Sequence, residues 1–136
     1  MFDKNFSLEI ISPVKTVFEG EVVAVTIPGS LGIFQVLSNH APMISTFDVG
    51  KIKIKKDSEV LEYSTSGGIF EVKNNKAIVL AESIESKEEI DLERANQSKI
   101  RAEEILRMAE AKAAEKEEAK LSLQRAINRI KITEKK

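Results

Sequence analysis

The sequence predicts an α+β protein, in which an all-β N-terminal sandwich of about ten strands in two packed sheets precedes an α-helical hairpin. All six Gly, all three Pro, all six Phe and the single Tyr lie in residues 1–70, and residues 71–136 contain no Gly or Pro. Frequent turn residues favour strands, and a long stretch of Ala, Glu, Lys and Arg without them favours helices. The predicted domains are residues 1–85 for the sandwich and 86–136 for the hairpin.

Alternating and β-branched segments predict the individual strands. In KIKIK (Lys51–Lys55) the isoleucines fall on one face and the lysines on the other, as in a half-buried strand. EVVAVTI (Glu21–Ile27) and VLEYSTS (Val60–Ser66) are each predicted to form one strand. The segments IFEV and AIVLA flank KNNK (Lys73–Lys76), which is a predicted hairpin turn.

The second part of the chain is predicted to form two helices. Ser86–Glu89 is a capping-box motif that indicates a helix start, because the Ser86 hydroxyl can accept from the backbone N–H of Glu89 and the Glu89 carboxylate can reach back. Apolar residues at helical spacing mark a weak stripe on the first helix and a clearer one on the second. The two stripes consist of Ile90, Ala95, Ala102, Ile105, Leu106 and Ala109, and of Leu123, Ala126, Ile127 and Ile130.

The connection between the two helices has no turn signal. AEAKAAEKEEAK (Ala109–Lys120) contains no helix breaker, and its intrinsic preference is to remain helical. Only packing of the two stripes against each other would hold a hairpin at this place. Two alternatives remain open: folded-back and extended arrangements of similar energy, or a fixed hairpin whose turn lacks Gly.

The residue inventory excludes several functional classes. With 21 basic and 22 acidic side chains the net charge is −1, so nothing indicates nucleic-acid binding. There is no cysteine and the only histidine is His40, which excludes a thiol nucleophile, a His-based dyad and a multi-histidine metal site. The sequence has no GxxxxGK[ST] phosphate loop and no clustered carboxylates in its predicted loops. We therefore predict neither an enzyme nor a metal site.

Neither a signal peptide nor a transmembrane helix is predicted. The N-terminal MFDKNFSLEII has no long apolar run behind a basic start. No stretch approaches the ~20 apolar residues of a membrane-spanning helix. We expect a soluble protein that associates with a membrane only through a partner.

Four motifs resemble, in order and separation, those of the ε subunit of bacterial F-type ATP synthases. They are IPGSLGIFQVLSNHAPMI (Ile27–Ile44), SGGIFEV (Ser66–Val72), IDLERA (Ile90–Ala95) and LQRAINRIK (Leu123–Lys131). The sequence departs from the family pattern in one loop, where Gln35 replaces a usual Gly and Ser38 an often-found Pro. The resemblance implies a ten-stranded sandwich followed by a two-helix hairpin, in agreement with the residue patterns.

The resemblance also implies a role in a rotary complex. The family's members are non-catalytic subunits of the central stalk that bind the γ subunit and rest on the ring of c subunits, coupling proton flow to ATP synthesis. In bacteria the C-terminal helices can extend transiently toward the α/β catalytic head and inhibit ATP hydrolysis. The implied location is the cytoplasmic face of the bacterial plasma membrane, peripherally within the complex, and no cofactor is required.

The loop from Gly29 to Pro42 is the predicted contact with the c ring, because the resemblance places it there. An apolar run between turn residues fits an interface, although the same run could belong to the sandwich core. The candidate contact residues are Gly29, Ser30, Leu31, Ser38, His40 and Pro42.

Helical periodicity places several charged residues of the second part on common faces. Asp91, Arg94 and Arg101 fall on one broad side of the first helix, and Arg125 and Arg129 are one turn apart on the second. Guanidinium groups bind phosphate oxygens bidentately, so a hairpin could direct these arginines into a shared groove. The alternative is an ordinary helix start, with Asp91 on the helix dipole and paired with Arg94.

Some bacterial ε subunits bind ATP in the folded-back state, and the resemblance implies ATP as a regulatory ligand here. The matching residues are Glu85, Ile90, Asp91, Arg94, Ala95, Arg101, Arg125 and Arg129. Two other functions are weighed against a regulatory rotor subunit. One is a stand-alone β-sandwich binding module with an unrelated helical tail, and the other is a purely structural coupling subunit with a permanently folded hairpin.

Overall fold

The computed structural model of the chain describes residues 4–134 and divides them into two compact units between Ser86 and Lys87. The first unit contains ten β-strands. In chain order they are β1 (Phe6–Ile11), β2 (Thr16–Val22), β3 (Ala24–Gly29), β4 (Gly32–Leu37), β5 (Met43–Phe47), β6 (Gly50–Lys55), β7 (Val60–Thr65), β8 (Gly68–Lys73), β9 (Lys76–Ala81) and β10 (Ile84–Ser86).

The strands form two sheets of five that are joined at one point. The first sheet has the order β10-β7-β6-β3, with β4 also paired to β3, and the second has the order β5-β8-β9-β1-β2. The joint is a single residue pair, Gly29 opposite Phe47. Within residues 4–134, β1 and β9 are the only parallel pair of neighbouring strands. The predicted sandwich of two packed sheets is confirmed.

One hydrophobic core lies between the sheets and receives alternate side chains from strands of both. Ile52 and Ile54 of β6 are buried and Lys53 and Lys55 are exposed, which confirms the alternation predicted for KIKIK. The largest fully buried side chains are Phe6, Phe70, Leu8, Ile10, Ile27, Ile52, Ile54, Val22, Val25, Val36, Val72 and Val79.

The predicted strand Glu21–Ile27 is wrong, because it is divided between two strands. β2 ends at Val22 and β3 begins at Ala24, with a bend at Val23. β2 pairs with β1 in the second sheet, whereas β3 pairs with β6 in the first. The chain must therefore change sheets at Val23, and an uninterrupted β-branched run contains no signal for that change.

The predicted hairpin at Lys73–Lys76 is confirmed. Lys73 pairs with Lys76 across a two-residue turn, and both central residues have left-handed backbone conformations, with φ of 52° at Asn74 and 61° at Asn75. Two successive positive φ angles define the type I′ turn that matches the twist of a hairpin. Asparagine is tolerated in this region better than most residues, so the KNNK sequence accounts for the turn.

The second unit consists of a short 3₁₀ turn and two α-helices packed against each other. The 3₁₀ turn is Lys87–Glu89, α1 is Leu92–Arg107 and α2 is Ala113–Glu134. The prediction that α1 begins after a Ser86 cap is wrong, because Ser86 belongs to β10 and the 3₁₀ turn follows it. Asp91 is the N-cap, and its Oδ1 accepts from the backbone N–H of Arg94 at 3.1 Å.

The helices fold back on each other through residues 108–112, without Gly or Pro. Two backbone hydrogen bonds, from Met108 N–H to the Ile105 carbonyl and from Ala111 N–H to the Met108 carbonyl, hold the turn. Four buried alanines occur at seven-residue spacing on the two helices: Ala95, Ala102, Ala119 and Ala126. Small side chains at facing positions allow close packing of helices, so the hairpin is held by this seam. The apolar stripes missed Ala119, and also Ile132, which is buried near the end of α2.

Candidate functional site

The helical unit presents a groove between α1 and α2 whose rim carries polar and charged residues. The groove has a volume of about 440 Å³. Its lining residues are Ser98, Arg101, Ala102 and Ile105 from α1, and Ala114, Glu115, Glu118, Ala119 and Ser122 from α2. The two buried alanines in this set are part of the helix–helix seam, and they give the groove an apolar base.

The predicted arginines lie on the same faces as the groove. Ser98 lines the groove from α1, and the predicted residues lie on its face, because successive steps of three, four and three residues connect Asp91, Arg94, Ser98 and Arg101. On α2 the same steps connect Ser122 to Arg125 and Arg129. We call this set of Asp91, Arg94, Arg101, Arg125 and Arg129 the arginine face.

Arg125 has an unusual environment within the arginine face. Its Nε is buried and has no hydrogen-bond partner among the described residues, whereas its side chain as a whole is 36% exposed. Its Nη1 lies 3.7 Å from Oε1 of Glu118, which is an ion pair at more than normal hydrogen-bond length. A buried donor without an acceptor is costly, so an acceptor from a ligand would be favourable at this position.

Asp91 has a structural role at the start of α1, as the N-cap that accepts from the Arg94 backbone N–H. The Asp91 carboxylate caps α1, and both side chains are exposed. The capping bond uses Oδ1 and leaves Oδ2 for other contacts. Capping and ligand contact are therefore compatible at Asp91.

The other predicted nucleotide-binding residues differ in their setting. Ala95 is buried in the seam, so it packs against the facing helix and does not offer a polar contact. Ile90 is half-buried just before the N-cap. Glu85 belongs to β10 of the sandwich, where it pairs opposite Ser64 of β7. Of the eight predicted residues, Arg101 lines the groove, the other four members of the arginine face share the groove's helix faces, and the remaining three have other settings.

The predicted ring-contact loop is two separate structures. Gly29 ends β3, and Ser30 and Leu31 form the tight turn before β4. Ser38, His40 and Pro42 lie in the loop after β4. The six residues of β4 span about 17 Å at the usual strand rise. One contiguous contact loop is thus not what the sequence forms.

The turn between β3 and β4 presents Leu31, which is fully exposed. Ser30 fixes this turn: its hydroxyl donates to Asp48 Oδ1 at 3.1 Å and lies 2.9 Å from Thr46 Oγ1. The backbone N–H of Ser30 also donates to the Thr46 carbonyl at 3.1 Å. The polar contacts of Ser30 thus hold the turn, and the Leu31 side chain at its tip stays exposed.

The loop after β4 is fixed by an asparagine of the β8–β9 turn. Asn75 Oδ1 accepts from the backbone N–H of Asn39 at 2.7 Å, and Asn75 Nδ2 donates to the Asn5 carbonyl at 3.1 Å. His40 lies in this loop with its Nδ1 2.7 Å from the Ala41 carbonyl oxygen. The bonds of Asn75 thus fix the loop, and the contact of His40 is local to the loop itself.

The apolar run Leu31–Leu37 serves both as core and as surface. Val36 is buried, and Phe34 packs edge-on against Phe70 with ring centroids 5.7 Å apart. Ile33 and Leu37 are exposed on the opposite side of β4. The core alternative thus holds for Phe34 and Val36, whereas an interface stays a prediction for the exposed residues of the run.

An apolar surface on the second sheet was missed by the sequence reasoning. Strand register places three of its residues side by side on the solvent side, because Ile69 pairs with Leu80 and Leu80 with Ile11. Ile44 and Ile78 lie on either side of Glu71, with which both pair. We call this surface the outer apolar face, which consists of Ile11, Ile44, Ile69, Ile78 and Leu80. Three of its members, Ile44, Ile69 and Leu80, are among the exposed large hydrophobic residues. Segments such as AIVLA, which are apolar on both strand faces, were the available signal.

Residues 4–134 contain neither a membrane-spanning helix nor a metal-binding cluster. In residues 4–134 no helix is long and apolar enough to cross a membrane. No group of three or more His, Asp or Glu side chains in the same range is arranged to hold a metal ion.

Comparison with known families identifies both units. Residues 5–87 match the family described as the β-sandwich domain of the ATP synthase delta/epsilon chain, and residues 88–134 match its long α-helix domain. The chain is 37% identical to the ATP synthase epsilon chain of Desulforamulus reducens over 131 residues, covering 96% of this chain and 98% of that protein. It is 39% identical to the epsilon chain of Caldicellulosiruptor bescii over 133 residues, covering 96% and 94% of the two.

Two solved assemblies contain chains of similar fold. One is the mitochondrial ATP synthase of Euglena gracilis with OSCP, F1 and c-ring, in which the similar chain gives a TM-score of 0.81 at 18% identity, covering 91% of this chain and 78% of that chain. The other is the central stalk and c-ring of the Tetrahymena thermophila mitochondrial ATP synthase, with a TM-score of 0.65 at 16% identity and coverages of 93% and 95%.

A β-sandwich followed by a helical hairpin, matched in both units, defines the class of protein. The chain belongs to the delta/epsilon family of ATP synthase subunits, and its bacterial relatives are epsilon chains. The resemblance drawn from the four sequence motifs is confirmed. Matches to one family in both units also exclude the alternative of a sandwich with an unrelated helical tail.

Proposed function

We propose that the chain is a non-catalytic rotor subunit of the ATP synthase central stalk. In this role it couples proton flow to ATP synthesis and regulates ATP hydrolysis through its helical hairpin. The observation that carries the proposal is the family match over both units, at near full length of the bacterial epsilon chains. The proposed location is the cytoplasmic face of the bacterial plasma membrane, where the subunit is held peripherally by the complex.

The outer apolar face is the proposed contact with the γ subunit. Monomeric proteins rarely expose large contiguous apolar patches, and a partner that covers Ile44, Ile69 and Leu80 would remove their surface from water. The fold resembles a chain in an assembly described as central stalk and c-ring, which supports a partner within the stalk.

The turn at the start of β4 is the proposed contact with the c ring. Its tip, Leu31, is fully exposed, and the hydrogen bonds of Ser30 hold the turn in one conformation. A rigid apolar tip loses little conformational entropy on binding, which suits an interface that must transmit torque. The loop of Ser38, His40 and Pro42 lies at the other end of β4, and the same ring contact is not proposed for it.

The arginine face is the proposed binding site for ATP. Several guanidinium groups on one face offer paired donors to phosphate oxygens, and the buried Nε of Arg125 is a donor in need of an acceptor. The adjoining groove, with its apolar base of Ala102 and Ala119, has room for the nucleoside. Binding does not imply hydrolysis, since the sequence has no phosphate loop.

ATP bound across α1 and α2 would stabilise the folded hairpin and so relieve inhibition. A ligand at 100 times its Kd that binds only one state favours that state by about 2.7 kcal/mol. The extended state, in which the helices reach transiently toward the α/β head, would predominate when ATP is scarce. A helical connection without a breaker is compatible with both states.

Calorimetric titration of the isolated chain with ATP tests the binding proposal. We expect a saturable heat, and an affinity at least about tenfold weaker for Arg125→Lys, because lysine keeps the charge but loses the bidentate fork and the Nε donor. Arg107→Lys is the matched control, since Arg107 is exposed at the end of α1 and outside the arginine face. Absence of heat with ATP at millimolar concentration would contradict the proposal.

Removal of the hairpin from the assembled complex distinguishes a regulatory from a purely structural subunit. If the hairpin inhibits the catalytic head, truncation from Glu88 onward raises the ATP hydrolysis rate of the complex. An unchanged rate in a complex that still contains the truncated subunit would support the structural alternative with a permanently folded hairpin.

A further inference from the structure

Glu118 lies on the arginine face itself, seven residues before Arg125 on α2. Two helical turns separate the two positions, and their long side chains meet with Oε1 of Glu118 3.7 Å from Nη1 of Arg125. Glu118 also lines the groove that Arg101 borders from α1. A carboxylate is therefore placed among the guanidinium groups that the proposed function assigns to phosphate.

The pair between Glu118 and Arg125 is poorly formed. Its 3.7 Å separation exceeds hydrogen-bond length, the Glu118 side chain is 68% exposed, and the Arg125 Nε has no partner among the described residues. Exposed pairs of this kind contribute little to stability. Arg125 can therefore readily exchange Glu118 for a better acceptor. The pair contributes too little to helix stability for a structural role to explain it.

We infer that Glu118 is an internal competitor that limits the affinity of the arginine face for polyanionic nucleotides. The inference rests on the proposed function, because it concerns the same site. In the empty protein the Glu118 carboxylate offsets part of the positive charge of Arg125. A nucleoside triphosphate must displace that carboxylate and then remain near its negative charge.

The loss of affinity caused by Glu118 depends on the charge of the ligand. Repulsion between Glu118 and the ligand grows with the number of ionised phosphate oxygens, so it opposes ATP more than AMP. The site would therefore respond to ATP only when ATP is abundant. Because Glu118 is exposed, salt screens part of the effect.

Replacement of the Glu118 carboxylate by an amide tests the inference. For Glu118→Gln we expect ATP to bind about three- to tenfold more tightly at low salt, which is the range that one exposed charge near a polyanion produces. AMP binding should tighten less than about threefold, and the gain for ATP should shrink at high ionic strength. Calorimetry of the full chain with ATP and with AMP, at low and at high salt, measures all three quantities.

Glu117→Gln is the matched control. It removes the same charge from the neighbouring residue, which pairs with Lys120 at 3.4 Å and points about 100° away around the helix. Far-ultraviolet circular dichroism verifies that both variants keep the helical content of the parent. A gain in ATP affinity for Glu118→Gln alone is attributed to loss of the contact with Arg125. An equal gain in ATP affinity for both variants is attributed only to the change of net charge.

The outcomes separate this inference from the function on which it rests. If the parent chain binds ATP and Glu118→Gln binds it no more tightly than Glu117→Gln, the inference is overturned and the ATP site stands. If neither the parent nor any variant binds ATP, the proposed site itself fails, and the inference fails with it. Tighter ATP binding by Glu118→Gln alone, with a smaller gain for AMP, supports both.

Discussion

Gly29 is the residue at which the two sheets meet, and its position leaves no room for a side chain. A Cβ there would lie 2.6 Å from the Gly32 carbonyl oxygen and 2.7 Å from the ring of Phe34. Its backbone also forms the single pair with Phe47 that joins the sheets. The requirement for glycine at this position is thus steric, and it follows from the corner of the sandwich.

Gly29→Ala should destabilise the sandwich by about 1–3 kcal/mol, because the added methyl group overpacks a corner made partly of backbone. Urea denaturation followed by circular dichroism measures the loss. Gly20→Ala is the control: its Cβ would meet only the Phe18 ring at an ordinary 3.6 Å, so a change below about 1 kcal/mol is expected. Equal losses in the two variants would refute the steric explanation.

Single residues also show how far the sequence predicts the site. The arginine face followed from helical periodicity, since spacing along a helix fixes which side chains share a side. The role of Asp91 as N-cap did not follow, because the Ser86–Glu89 motif offered an equally good local start. Pairing of Ser86 within β10 decided between them, and such tertiary pairing is not encoded in a local pattern.

At the scale of elements, strands could be predicted where one face of the strand is buried and the other is exposed to solvent. β6 and the β8–β9 hairpin followed from alternation and turn residues. The boundary between β2 and β3 did not, since the β-branched run from Val22 to Ile27 continues across it and the bend at Val23 arises from pairing with different sheets. β4 lies within the predicted contact loop Gly29–Pro42, so the prediction treated two separate connections as one loop.

The seam between α1 and α2 depends on alanine, which sequence patterns undervalue because it is also the commonest helix former. Ala102→Leu should open the hairpin, since a larger side chain between facing helices cannot be accommodated at the buried seam. The chain has no cysteine, so spin labels on Cys introduced at the exposed positions Gln97 and Gln124 report the interhelical distance without background.

The expected result for Ala102→Leu is a longer label-to-label distance with unchanged helical content, because the connection has no helix breaker. Ala113→Leu, at the exposed start of α2, is the control and should keep the short distance. A short distance in Ala102→Leu would mean that the seam tolerates a large residue and does not control opening.

At the scale of the whole molecule, the outer apolar face predicts how the subunit is retained in a complex. Ile44→Glu should greatly weaken retention, because it places a charge on a surface proposed to be desolvated by the γ subunit. Ile44 is 70% exposed, so the folding stability of the isolated chain should change by less than about 1 kcal/mol. Copurification with γ measures retention, and thermal unfolding measures stability.

Val60→Glu is the control for the outer apolar face. Val60 is 50% exposed on β7 of the other sheet, so the same substitution adds the same charge away from the proposed contact. We expect Val60→Glu to copurify with γ as the parent does, and Ile44→Glu to lose this copurification. Equal retention of both variants would show that γ binds elsewhere.

The parallel pairing of β1 with β9 has a consequence for how the chain is made. Ser7 lies opposite Lys76, so β1 can be placed in its sheet only after nearly the whole sandwich has been synthesised. Until then β1 and β2 form at most an isolated hairpin, which is marginally stable in water. The pairing of β1 with β9 closes a long loop, and the entropy of loop closure is lost before the new contacts form. This pairing is therefore expected to be a slow step of folding. The β1–β2 hairpin is therefore exposed to chaperones and proteases on the ribosome until β9 emerges and the second sheet closes.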